Sequence, residues 1–107
     1  MTARFCILAA ATCAVLAACG MMTPPPPVTP ALAAAAQGRA GVADLEAGRR
    51  IYTTQCAACH LPQPIGRHDA DEWPDILATM SARAKLGATE RGQLSAYVLT
   101  ARRTLTP

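Results

Sequence analysis

Five consecutive residues, Cys56-Ala57-Ala58-Cys59-His60, hold the densest set of reactive groups in the chain: two thiols separated by two alanines, with an imidazole directly after the second. Three chemistries use such a pentapeptide. A structural zinc ion takes thiolate and imidazole ligands but needs four of them in a tetrahedral array. A redox-active dithiol opens and closes a disulfide, and belongs at the start of a helix in a βαβ framework. A covalently held metallocofactor is bonded through both sulfurs while the imidazole meets its metal from one face. The rest of the sequence decides among them.

The amino terminus predicts export. Arg4 precedes an apolar run over residues 5–17, so residues 1–18 read as a secretory signal peptide, the run being too short to span a bilayer. Leu16-Ala17-Ala18-Cys19 resembles the lipobox of bacterial lipoproteins. That resemblance implies a diacylglycerol on the Cys19 thiol, cleavage in front of it, and acylation of the new amino group. Each buried methylene contributes about 0.8 kcal/mol, so three acyl chains would hold the protein on a membrane facing the periplasm without a transmembrane helix. Gly20, where an aspartate would retain a lipoprotein at the inner membrane of enteric bacteria, favours the outer membrane. Of the five cysteines, Cys6 and Cys13 leave with the signal and Cys19 is taken by lipid, which leaves Cys56 and Cys59 for chemistry. A disulfide between those two closes too small a ring to constrain the unfolded chain usefully, so the pair is no structural staple.

Residues 19–42 are expected to form a lipidated terminus and a Pro/Ala-rich linker, with four prolines in a row at Pro24–Pro27. Proline fixes φ and removes donors, so the stretch reads as an extended spacer that could hold a domain several tens of ångströms from the membrane. The alanine run over residues 33–36 favours a helical turn but shows no cap beside it. Residues 43–107 form the one domain. Over residues 41–107, eight Lys or Arg stand against seven Asp or Glu. A near-neutral domain with no basic patch excludes nucleic acid as a partner. At about 65 residues it is small enough to want a metal, a disulfide or a large ligand to complete its core.

No stretch of that domain alternates as a strand would, and three segments have helical spacing. The first, residues 43–55, aligns Leu45, Gly48, Ile51 and Tyr52, with Asp44 and Glu46 in the opening turn. Gly48 costs about 1 kcal/mol inside a helix relative to alanine, which points to a close packing partner. The second, residues 71–85, carries Pro74 in its first turn and puts Trp73, Ile76, Leu77, Met80 and Ala84 on one face, with Gly87 expected as a left-handed stop. The third, with Thr89 as N-cap, aligns Leu94, Tyr97, Val98 and Ala101 and ends in Arg102 and Arg103. The fold class is therefore all-α.

This setting narrows the pentapeptide's chemistry. There is no second CxxC, the only other histidine is His68, and no βαβ framework exists to carry a redox dithiol. C-x-x-C-H is the attachment signature of haem c, in which two thiolates add across the porphyrin vinyl groups and the adjacent histidine binds iron. Cys56 and Cys59 are the expected thioether positions and His60 the proximal iron ligand. Met80 is the only methionine of the domain and the expected distal ligand, with His68 or an open position on the iron as the alternatives; His68, among Arg67, Asp69 and Asp71, reads as a solvated loop residue. The 20 residues from His60 to Met80 are long enough to wrap a haem from one face to the other, at up to about 3.3 Å per residue.

A glycine-containing first helix leading into CxxCH, a Trp-Pro helix carrying a methionine, and a last helix with a tyrosine resemble the small monohaem class I c-type cytochromes, over residues 43–103. The resemblance implies a three-helix domain wrapped around one covalent haem, with the first and last helices crossing where Gly48 meets Tyr97 or its neighbours. It also implies that the carbonyl of Pro62 or Pro64 receives the free N–H of His60. Arg67 and the Trp73 indole are candidates for the haem propionates. The expected function is single-electron transfer, without enzymatic turnover, to membrane-associated redox partner proteins. The alternatives are a haem subunit of a larger oxidoreductase complex, or a haem sensor or peroxidase-like enzyme with an open distal position.

Overall fold

The computed structural model describes residues 23–105. The expected signal peptide over residues 1–18 and the expected lipidation position Cys19 lie outside the described residues. Four α-helices follow in order: α1 (Pro30–Ala35), α2 (Val42–Thr53), α3 (Trp73–Arg83) and α4 (Ala88–Thr104), with single 3₁₀ turns at Cys56–Ala58 and Ile65–Arg67. Among the described residues there is no strand, so the fold is all-α.

The core is built on the crossing of α2 and α4, the largest contact between elements. Leu45, Leu94, Tyr97, Val98 and Ala101 are fully buried there. Burying each large apolar side chain contributes roughly 1.5–3 kcal/mol. Gly48 sits at the crossing, and a Cβ on it would lie 2.7 Å from Tyr97 Cβ and overlap the Gln93 carbonyl. The expected meeting of Gly48 with Tyr97 is therefore present. Beside the crossing, the Gln93 amide donates to Asp44 Oδ1 at 3.2 Å.

Helix ends follow local chemistry, with two departures from expectation. Pro74 occupies the first turn of α3, where its missing N–H leaves no bond unmade. The left-handed residue after α3 is Lys85 (φ 55°), not Gly87. Leu86 N–H bonds back to Ser81 O at 3.0 Å and Lys85 N–H to Ala82 O at 3.2 Å, a Schellman closure that buries Leu86. Gly87 is instead extended and caps α4 in place of Thr89, its N–H donating to Glu90 Oε2 at 3.0 Å.

The spacer expected over residues 19–42 does not describe residues 25–36, which pack on the domain. Thr29 Oγ1 accepts from Leu32 N–H and caps α1, with Pro30 opening the helix. Leu32 and Ala36 are buried in the common core. Arg49 donates to the carbonyls of Pro26 (3.0 Å) and Pro25 (3.3 Å), and the Tyr97 hydroxyl donates to Pro26 O at 2.6 Å. The alanine run is thus capped, and the domain gains a fourth helix that its apolar spacing alone did not reveal.

Candidate functional site

Between the end of α2, the pentapeptide and one face of α3 lies a cavity of about 320 Å³, within the size range of small-molecule and cofactor sites. Cys56, Cys59, His60 and Met80 all line it. Trp73, Ile76, Leu77, Met80 and Ala84, the face read from the helical repeat of α3, form one wall. Tyr52 also lines the cavity, its ring packing edge-on to Trp73 at 6.4 Å. The lining contains no carboxylate, and its one permanently charged side chain is Arg83.

The pentapeptide leaves α2 abruptly. Thr54 is a non-helical terminus (φ −120°, ψ −71°), and the Thr53 and Thr54 hydroxyls bond back to the Arg49 and Arg50 carbonyls, competing with helix continuation. The 3₁₀ turn at Cys56–Ala58 then brings both cysteines to the cavity wall. His60 Nδ1 is 2.9 Å from the carbonyl of Leu61. A carbonyl only accepts, so in the neutral ring this contact puts the proton on Nδ1 and leaves Nε2 with its lone pair, the form in which an imidazole binds a metal. The acceptor is Leu61 O, where Pro62 or Pro64 was expected, because the carbonyl next along the chain is already within reach of the ring.

The loop from Leu61 to Glu72 has one 3₁₀ turn and is held from three helices. Tyr52 of α2 donates its hydroxyl to Gln63 O, Trp73 of α3 donates its indole N–H to Ile65 O at 3.0 Å, and Arg102 of α4 donates Nε–H to His68 O at 2.7 Å. Arg102 also reaches Leu105 O at 3.2 Å and Asp69 Oδ1 at 3.1 Å. Loop carbonyls that no helix or sheet would satisfy thereby receive donors. Arg102→Met is expected to lower stability by about 1.5–3 kcal/mol, the usual value for a hydrogen bond to a charged group. Thermal melting checks the loss, and amide exchange should accelerate over residues 61–72 ahead of α2 and α4.

Three candidate residues differ from expectation, and one, Arg83, was missed. Trp73 is buried with its indole N–H committed to Ile65 O, so it has no donor left for a propionate. Arg67 is exposed and does not line the cavity; Arg83, one turn beyond Met80, does. His68 lies in the loop and is partly exposed, but it also lines the cavity, stands edge-on to Trp73 at 5.5 Å, and places Nε2 3.1 Å from Gln63 Oε1 and Nδ1 3.7 Å from Glu72. The signal for Arg83 was available in the sequence, since three residues separate it from Met80 on the same helix.

Burial pushes the Cys56 thiol up from its ordinary value. A dithiol exchange site works the other way, lowering the attacking thiol toward the thiolate. Tyr52 is pushed up to about 12, first by burial and then by the negative charges Cys56 and Tyr97 would carry; Tyr97 is also pushed up to about 12, chiefly by burial. Both phenols hold their protons more tightly folded than unfolded. Their contribution to stability is complete below pH about 10 and is lost as pH rises through about 12. An alkaline titration at 295 nm should show Tyr52 and Tyr97 ionising only together with loss of helical circular dichroism.

Among the described residues, no group of three or more His, Cys, Asp and Glu side chains converges as a metal cluster. The reactive groups instead surround an apolar space: two thiols and an imidazole at one end of the sequence motif, a thioether from α3, and one guanidinium. Such a space suits a largely apolar ligand, with Arg83 as the one fixed positive charge for an anionic group on it. No protein-family model, curated protein or solved structure matches this chain.

Proposed function

We propose that this protein is a c-type cytochrome, lipid-anchored through Cys19 to a membrane facing the periplasm, that passes single electrons between redox partner proteins. The observation that carries the proposal is that Cys56, Cys59, His60 and Met80, read from sequence as the attachment and ligand set of one haem c, line the same apolar cavity although 20 residues separate His60 from Met80.

Haem c supplies a one-electron ferric/ferrous couple. Cys56 and Cys59 would hold it by thioethers, which prevent its loss through the thin wall of so small a domain. His60 would bind iron through Nε2, with Nδ1 held by Leu61 O. Met80 would bind from the α3 side. With His60 and Met80 both holding the iron, the chain would leave no place for a substrate there, and a thioether ligand would favour the reduced state and raise the potential. Trp73, Ile76, Leu77 and Tyr52 line the cavity and would keep water from the group, which would disfavour the extra positive charge of its oxidised state. Arg83 offers the cavity's one fixed positive charge to a propionate.

One observation favours a second reading of the distal side: His68 also lines the cavity and gives a second candidate ligand, or a polar neighbour for a small molecule at an open position. Carbon monoxide titration of the reduced protein separates the readings. The carrier reading expects little binding at neutral pH. Immediate and complete binding would support an open distal position and a sensing or peroxidase-like role.

A further inference from the structure

The segment before the domain presents a chemistry that its own docking surface complements. A proline run has carbonyl acceptors and no N–H donors of its own. The surface it meets offers donors: the Arg49 guanidinium, which has no acceptor capacity, and the Tyr97 hydroxyl. Arg49 spans two successive carbonyls, Pro25 O and Pro26 O, and the Tyr97 hydroxyl also donates to Pro26 O. Leu32 and Ala36 then enter the core beside α4, which fixes α1 behind the prolines. Tyr97 itself is fully buried and packs on Tyr52, the cavity wall, with ring centroids 6.3 Å apart.

We propose that the face of α2 and α4 formed by Arg49 and Tyr97 is a binding site for a proline-rich extended segment, filled by the chain's own Pro25–Pro26, and that this docking makes the membrane tether short. The second half of the proposal rests on lipid anchoring at Cys19. A free chain from residue 19 to residue 42 would reach about 70 Å at ~3.1 Å per residue. With Pro25 pinned, six residues remain, a reach of about 20 Å. The domain would then be held close to the bilayer by one defined face, and the haem cavity behind Tyr52 would keep a restricted set of orientations toward membrane-bound partners.

Two measurements on the full-length, haem-loaded protein test this. Amide hydrogen exchange should show the α1 amides protected in the parent protein. Arg49→Ala combined with Tyr97→Phe should lose at least tenfold of that protection while α2 and α4 keep theirs. Leu32→Asp, which alters the segment and leaves the domain's donors intact, should do the same. Exchange of α1 at unstructured rates in the parent protein would overturn the docking. Neutron reflectometry on the lipidated protein at a supported bilayer should find a gap of no more than about 20 Å between bilayer and domain, widening in Leu32→Asp. An equal gap in both would overturn the tether role even with docking intact. Absence of any protein layer would instead overturn the lipid anchor, and the tether role with it, while the exchange result still decides the binding site.

Discussion

Gly48→Ala is expected to lower the melting temperature by more than 10 °C. The added methyl would stand 2.7 Å from Tyr97 Cβ and overlap the Gln93 carbonyl, and the second contact is with backbone, which cannot rotate away. Overpacking a core costs about 1–3 kcal/mol in general, and a clash with backbone lies at or above the top of that range. For a domain of this size each kilocalorie is worth roughly 4–8 °C. Gly92→Ala is the control on the facing helix: a Cβ there meets nothing within 4 Å, so the change should stabilise by up to about 1 kcal/mol through helix propensity alone. Two glycine-to-alanine changes with opposite signs would show that the α2–α4 approach, and not glycine content, sets stability. A fall below about 5 °C for Gly48→Ala would mean that the helices do not cross this closely.

Met80→Ala is expected to change the redox chemistry more than the fold. Met80 is half-buried on the cavity face of α3, and shortening it removes a thioether without disturbing the buried Trp73 and Leu77 beside it. Axial ligands set haem potentials over a span of about 0.8 V, and replacement of a thioether by water or a nitrogen ligand should lower the potential by on the order of 0.1–0.3 V. The weak far-red absorption of methionine-ligated ferric haem should vanish, and carbon monoxide should bind the reduced protein at once. Met80→His should restore a six-coordinate spectrum at a low potential, which a purely structural role for Met80 would not produce. An unchanged potential and unchanged far-red band in Met80→Ala would remove methionine from the iron.

The parts of the fold carried by local periodicity were legible in the sequence. Leu94, Tyr97, Val98 and Ala101 repeat as one helix face and are all buried, and the α3 face from Trp73 to Ala84 became the cavity wall. Gly48 announced a close contact because a helix interior gives no other reason for glycine. What stayed hidden depends on pairing across long separations. Residues 25–36 look like a spacer because Leu32 stands almost alone among prolines and alanines. Their docking rests on Arg49 and Tyr97, which lie 23 and 71 residues from Pro26. The roles of Trp73 and Arg102 were hidden for the same reason: a side-chain donor can be read from sequence, but the loop carbonyl it reaches cannot. The exchange of roles between Lys85 and Gly87 has a different origin. Either residue could have ended α3, and burial of Leu86 decided the position of the left-handed turn.

Intact-mass spectrometry of denatured protein tests most directly whether, as proposed, a porphyrin is bonded to the chain through Cys56 and Cys59. Protein exported in a bacterium that matures c-type cytochromes should carry the added mass of one haem and keep its red colour in acid and organic solvent. The double variant Cys56→Ala, Cys59→Ala should carry neither. A colourless parent protein with no mass beyond the polypeptide and its lipid, from cells that mature another c-type cytochrome normally, would contradict the account.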